Sequence, residues 1–202
     1  MALQPQRRSP GAMTSFRSTV IADLWRIEGT ASPAVFFKHI TRGVSFKFVF
    51  WMRACAASRS GSPVGRSMYP LCRFMYRRYM FKFGLSVPYT TPIGPGFYIG
   101  HFGGVVISTR ARIGRNCNIS QGVTIGASSR GDRAGAPTIG DNVYIGPGAK
   151  VLGAIQVGND VAIGANAVVT RDVPDHSVVV GIPARVVSSA GSVGYINRTD
   201  YP

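Results

Sequence analysis

From Ile93 onward an apolar residue, β-branched at every occurrence, recurs at six-residue steps. The first series is Ile93, Ile99 and Val105. After a two-residue shift come Ile107, Ile113, Ile119 and Ile125, and after an interruption Ile139, Ile145, Val151, Val157, Ile163 and Val169. The next position is usually small: Gly94, Gly100, Gly114, Ser120, Gly126, Gly140, Gly146, Gly158 and Gly164. Neither a helix, with its 3.6-residue period, nor an alternating strand produces a six-residue repeat. The repeat does follow if each hexad is one short side of a coil, its branched residue pointing inward and its small residue permitting the corner. Three sides close a coil, and coils stack at about the 4.8 Å inter-strand spacing. The pattern therefore predicts a mainly β protein, a parallel β-helix over residues 86–187. The stretch GASSRGDRAGAP, which begins at Gly126, breaks the count and must leave the coil as a loop over 126–138. Residues 188–202 remain as a C-terminal tail.

The first part of the chain reads differently. Residues 1–15 are a polar, disordered lead-in, and 16–85 form a basic, aromatic α-helical region. One helix is predicted over SPAVFFKHITRGVSFKFVFWMRACAASRSG, with Ser32 as N-cap and Pro33 at its first position. A second runs through SMYPLCRFMYRRYMFKFG, with Ser67 as cap, Pro70 in the first turn and Gly84 as its left-handed stop.

Charge sharpens the division. The 202 residues carry +15 overall, but residues 1–85 hold fourteen basic residues against Asp23 and Glu28, a net +12; the remainder holds nine against six, a net +3. The basic half should prefer anionic surfaces. Its aromatic and basic residues suggest either a cap packed on the next domain or subunit, or peripheral contact with an anionic membrane. No nucleic-acid module is evident, so no nucleic-acid partner is expected. The start lacks the apolar core of a secretory signal. The uncharged run Phe83–Thr109 is interrupted by glycines and prolines that a spanning helix would not tolerate. Three unpatterned cysteines (Cys55, Cys72, Cys117) imply neither a disulfide framework nor a zinc site and fit a cytoplasmic location.

Within that uncharged run stands one titratable histidine, His101, in YIGHFGGVV. It is a structural histidine, a metal ligand or a reactive group. A catalytic zinc needs convergent ligands such as three imidazoles, and only His101 and His176 lie in the coil, so no metal is expected. His176 reads as a turn residue near the end of the coil and His39 as a surface residue of the helical region. Cys117 reads as a core or turn residue.

The stretches GHFGGVVI, NISQGVTIG, RGDRAGAPTIGDNVYIGPGAKVLG and IGANAVVTRDVPDHSVVVGIPAR resemble the hexapeptide-repeat acyltransferases. Within them the chain is similar to serine acetyltransferases and to their relatives in exopolysaccharide biosynthesis, the colanic-acid-type O-acetyltransferases. The resemblance covers about half the chain. It implies a left-handed coil, a homotrimer, and acetyl-CoA as co-substrate with no permanently bound cofactor. It also implies that His101 is the general base for direct acetyl transfer to a hydroxyl. An imidazole suits that role because its pKa lies near neutral pH. The two-residue break in phase at Val105–Ile107 distorts the coil just beyond it.

For the co-substrate the resemblance suggests Lys150, Arg171 and Arg185 beside phosphates, with Gly164 and Ala165 giving room to the pantetheine arm. The loop offers Arg130, Asp132 and Arg133 to the acceptor, as a flap reaching a site between subunits. The chain departs from the serine acetyltransferases at Gly100, where they carry aspartate, at Thr109 (glutamate) and at Ala134 (histidine). Those departures remove groups suited to an amino-acid zwitterion. The expected function is therefore an O-acetyltransferase acting on a sugar hydroxyl of a surface-polysaccharide precursor; the alternatives are a serine O-acetyltransferase and a non-catalytic β-solenoid scaffold.

Overall fold

A computed structural model describes residues 15–60 and 62–202, so the lead-in expected over residues 1–15 lies, apart from Ser15, outside the described residues. Four helices come first: α1 (Phe16–Glu28), α2 (Pro33–Thr41), α3 (Ser45–Ser60) and α4 (Pro63–Phe83). Helices α1, α2 and α4 start at serine N-caps, Ser15, Ser32 and Ser62, whose hydroxyls accept from the free amides of the first turn.

Two expectations are corrected. The helix predicted to begin at Ser32 is two helices, α2 and α3, broken around Gly43. A Cβ there would lie 2.6 Å from the His39 carbonyl oxygen, so only glycine lets the chain turn back so tightly. The next helix begins four residues before Ser67, at Pro63, capped by Ser62. Ser67 lies inside it and returns its hydroxyl to the Val64 carbonyl. Pro70 is therefore interior to α4, on its exposed side. The Gly84 stop is as predicted, at φ 61°.

After α4 the chain winds into three parallel sheets. The first comprises β1 (Leu85–Ser86), β3 (Val105–Ile107), β6 (Thr124–Gly126), β9 (Lys150–Leu152) and β12 (Val168–Val169). The second comprises β4 (Arg112–Ile113), β7 (Thr138–Ile139) and β10 (Gln156–Val157). The third runs through β2 (Tyr98–Ile99), β5 (Asn118–Ile119), β8 (Tyr144–Ile145), β11 (Ala162–Ile163) and β13 (Val178–Gly181). An antiparallel strand, β14 (Ala184–Ser188), folds back on β13 and closes the end.

Every hexad residue predicted to point inward from Ile99 to Val169 is buried, and in register: Ile99 over Ile119 over Ile145 over Ile163 in the third sheet, Ile125 over Val151 over Val169 in the first. Burying such side chains contributes about 1.5–3 kcal/mol each. At Gly94, Gly114, Gly140, Gly146 and Gly158 a Cβ would come within 3.0 Å of the backbone of the next coil. A Cβ on Gly114 would stand 2.5 Å from the Gly140 carbonyl oxygen of the next coil.

The helices are fixed to the coil by a buried ion pair. Arg53 of α3 donates to both carboxylate oxygens of Asp23 in α1 (3.0 and 3.3 Å) and to the carbonyls of Ile93 and Gly94 (2.5 and 2.6 Å). Asp23 in turn accepts the Phe97 amide at 2.8 Å. Burial pushes the Asp23 carboxyl up; Arg53 and the amides pull it back. The C-terminal tail returns along the coil toward α1. Tyr195 stacks on Tyr144, its carbonyl accepts from Asn118, and Arg198 donates to the Ile27 carbonyl.

Candidate active site

The corner between the third and first sheets is built from repeated tight turns. Gly100, Ser120, Gly146 and Gly164 open it in successive coils, the first three donating to Ile119, Ile145 and Ile163 and Gly164 to Val179. It is closed by Gly104, Gly122, Gly148 and Asn166, the last three donating to Gly103, Gln121 and Pro147. In the later coils one residue lies between the opening and the closing residue; in the first coil three do. The two additional residues are His101 and Phe102. The break in phase expected at Val105–Ile107 therefore lies earlier, at the histidine itself, and β3 continues undistorted with Val105 and Ile107 inward and Val106 outward.

His101 is thus carried on a bulge that leaves the prism, and it is exposed with no hydrogen-bond partner among the described residues. Gly103 and Gly104 make the return turn at φ 103° and 67°, a region open to glycine at little cost. Nothing lies within 4 Å of where a Cβ on Gly103 would stand, so the backbone beside the imidazole is open.

His101 lines a cleft of about 280 Å³ between the coil and the helices, together with Tyr98, Gly100, Phe102, Ile27, His39 and the Gly43–Phe46 turn. His39 is a correction. The sequence places it on the surface of the helical region, but its side chain is only 15% exposed and faces this cleft. Its Nε2 lies 2.7 Å from Glu28 Oε1, which Lys38 Nζ also approaches at 2.6 Å. Those two contacts, Lys38 first, hold the Glu28 carboxyl below its ordinary value. The only local signal for His39 was its position four residues before a glycine. What buries it is tertiary packing among the helices: its ring lies 6.4 Å from that of Phe46 in α3, and Glu28 of α1 holds its Nε2.

The other sequence-predicted residues fall at separate places. Gly164 and Ala165 occupy the same corner as His101, three coils further on, at about 4.8 Å per coil a distance of about 14 Å. Arg171 and Arg185 line a cleft of about 170 Å³ at the closing end of the coil. Lys150 is half-buried and its ammonium donates to the Gly122 carbonyl (2.6 Å) and Thr124 Oγ1 (3.2 Å). It is held within the sheet, apart from the two arginines.

The interruption forms a small hairpin, Ser128 and Gly135 exchanging backbone hydrogen bonds. Arg130, Asp132 and Arg133 line a cleft of about 560 Å³ with Leu152 and Thr170. Arg133 is anchored: it pairs with Asp172 at 3.1 Å and its carbonyl accepts the Ala154 amide. The loop leaves between β6 and β7, the corner between the first and second sheets, whereas His101 leaves between the third and first. One chain therefore presents the histidine and the loop at opposite edges of the same face and does not bring them together.

His176 is a turn residue at φ 56°, with Nδ1 3.8 Å from Asp160. The three cysteines are buried, and burial pushes the Cys117 thiol up to about 12, which leaves no nucleophile there. Among the described residues no group of three metal-ligating side chains is assembled.

A bulged histidine on a hexad-repeat coil can be set beside known proteins. The family described as bacterial transferase hexapeptide (six repeats) matches residues 136–171. A serine acetyltransferase of Bacillus pumilus is 45% identical over 133 residues, covering 66% of this chain and 60% of that protein. One of Synechococcus elongatus is 46% identical over 108 residues, 54% of this chain and 44% of that one. The chain thus spans less than two thirds of the length of these relatives. Among solved structures, the soybean serine acetyltransferase apoenzyme superposes with a TM-score of 0.68 at 34% identity, covering 86% of this chain and 69% of that one. The Neisseria gonorrhoeae serine acetyltransferase in complex with serine gives 0.68 at 32% identity, over 84% and 68%. Those likenesses carry the handedness of the coil, which is left-handed. On its repeat, its superposition and its coverage of the soybean enzyme, the chain belongs to the hexapeptide-repeat acyltransferases, in the serine acetyltransferase-like group.

Proposed function

We propose that the protein is an O-acetyltransferase that uses acetyl-CoA as co-substrate and His101 as general base. The observation that carries this reading is the placement of His101 and Phe102 as two additional residues on an otherwise regular corner. A structural histidine would have no need to leave the coil. The neutral imidazole takes the proton from an acceptor hydroxyl as its oxygen forms the new bond to the thioester carbonyl carbon. Collapse of the tetrahedral intermediate expels the CoA thiolate, which is protonated from the imidazolium. The His101 corner continues to Gly164 and Ala165, a track for an extended pantetheine arm; Arg171 lies across the first sheet, at the edge that carries the loop, and with Arg185 lines the closing end of the coil, where the two would meet phosphates. Lys150 serves there only by releasing the contacts that now hold it.

The relatives favour L-serine as acceptor, both by their names and by solved complexes with serine and with CoA. A carboxylate stands behind the cleft wall: Glu28, paired with His39 and Lys38, would meet an ammonium by exchanging those contacts. A second reading, a hydroxyl on a saccharide of a surface-polysaccharide precursor, is favoured by Gly100 and Thr109, which stand where serine acetyltransferases carry carboxylates, and by Ala134, which stands where they carry a histidine. We further propose a homotrimer, because a second copy is needed to bring the Arg130–Arg133 loop to the His101 edge. The test is thiol release and product mass with L-serine against a panel of nucleotide sugars, lipid-linked sugars and oligosaccharides. Acetylation of serine with ordinary efficiency supports the first acceptor and saccharide turnover the second. No thiol release with any acceptor leaves the coil a scaffold.

A further inference from the structure

We propose that the outer face of α4 is a docking surface for an anionic lipid bilayer. The helix buries Cys72, Tyr76 and Phe83 on one side. Its opposite side carries Phe74 and Phe81, 63% and 69% exposed and seven residues apart, hence on one face two turns from each other. Leu71, Val64 and Met68 extend the apolar surface toward the start of the helix, all exposed by half or more. Arg73, Arg77, Arg78 and Lys82 flank it, with the Arg77 guanidinium over the Phe81 ring at 5.9 Å.

Among the described residues no helix is long and apolar enough to cross a membrane, so the fit is to the interface. Exposed aromatics flanked by cations match an interfacial helix, with the rings at the acyl boundary and the cations among the headgroups. Charge selects the occupant. From Gly29 to Gly131 the chain contains no aspartate or glutamate, so this face has no carboxylate with which to receive a basic partner. A second copy laid on it about a two-fold axis would set Arg73, Arg77, Arg78 and Lys82 against the same cations. Nucleic acid would satisfy the charges but leave Val64, Met68 and Leu71 in water.

The helix also reaches the candidate active site. It ends at Gly84, where a Cβ would lie 3.6 Å from Gly103 Cα, and Phe83 packs its ring 5.9 Å from that of Phe102. A bilayer on α4 therefore comes close to the His101 corner.

The test is flotation of the full chain with phosphatidylglycerol-containing vesicles and with pure phosphatidylcholine vesicles, at low and high salt. The variants are Arg77→Gln/Arg78→Gln and Phe74→Ser/Phe81→Ser. Each basic side chain near such a surface is worth about fivefold in binding, so the arginine variant should bind about 25-fold more weakly. The phenylalanine variant should lose binding, while melting temperature and light-scattering mass stay as in the parent. Wild-type binding confined to phosphatidylglycerol and weakened by salt completes the expected result. Failure of the wild type to bind, or binding unchanged in both variants, overturns the proposal. So does a phenylalanine variant that changes the assembled mass, which would make this face a contact between copies. None of these readouts depends on acetyl transfer.

Discussion

Glu28 Oε1 lies 2.7 Å from His39 Nε2, and His39 shares a cleft with His101. The carboxylate is thereby held behind one imidazole of a site whose other imidazole, His101, has no carboxylate of its own. We propose that the pair serves acceptor recognition rather than proton transfer. Glu28→Gln should raise KM for the acceptor about tenfold with kcat changed far less, since it removes binding made equally in ground and transition states. A parallel loss in kcat would place the pair in the chemistry instead.

The same contact fixes a pH dependence. Lys38 and then His39 hold the Glu28 carboxyl below its ordinary value. A depressed carboxylate contributes stability above its unfolded pKa, about 4.3, and loses it as pH falls through the folded value. The difference in melting temperature between wild type and Glu28→Gln should therefore hold from pH 8 to about pH 5 and shrink below about pH 4. A difference that grows in acid would contradict the assignment.

Asp23 and Arg53 join α1 and α3 to the first turn of the coil. Asp23→Ala strands the Arg53 guanidinium in a buried site and frees the Phe97 amide, a loss of about 3–5 kcal/mol. Denaturant melts should show it. A loss under 1 kcal/mol would mean the helices are held mainly by apolar packing.

Gly114 bears on the stacking. Alanine there meets the Gly140 carbonyl oxygen at 2.5 Å, and the coils must part to admit it. Overpacking of this kind costs about 1–3 kcal/mol. Unchanged stability in Gly114→Ala would imply a looser coil than described.

The coil was legible because a six-residue period has few physical origins, and every inward hexad position from Ile99 to Val169 is buried. The origin of the phase break was not. Valine and isoleucine at 105 and 107 both point inward, so the count shifts visibly there, although the inserted residues are His101 and Phe102. Only the pairing of Gly100 with the Ile119 carbonyl and of Gly103 with the Gly122 amide reveals where the corner widens. In the helices, Ser32, Pro33 and Gly84 read correctly because capping is local. The break at Gly43 and the inward turn of His39 were missed because both depend on how α1, α2 and α3 pack against one another. The clustering of Arg171 with Arg185, and the engagement of Lys150 by Gly122, likewise depend on which coils lie side by side.

Whether the His101 bulge carries the chemistry is read most directly by thiol release from acetyl-CoA, with a saturating hydroxyl acceptor, by wild type and His101→Ala. Transfer of a proton by a positioned base is worth about 10²–10⁴-fold. His101→Ala should lower kcat by at least about 10²-fold, with CoA affinity within a few-fold of wild type and an unchanged melting temperature. Turnover in His101→Ala close to that of the wild type would contradict it.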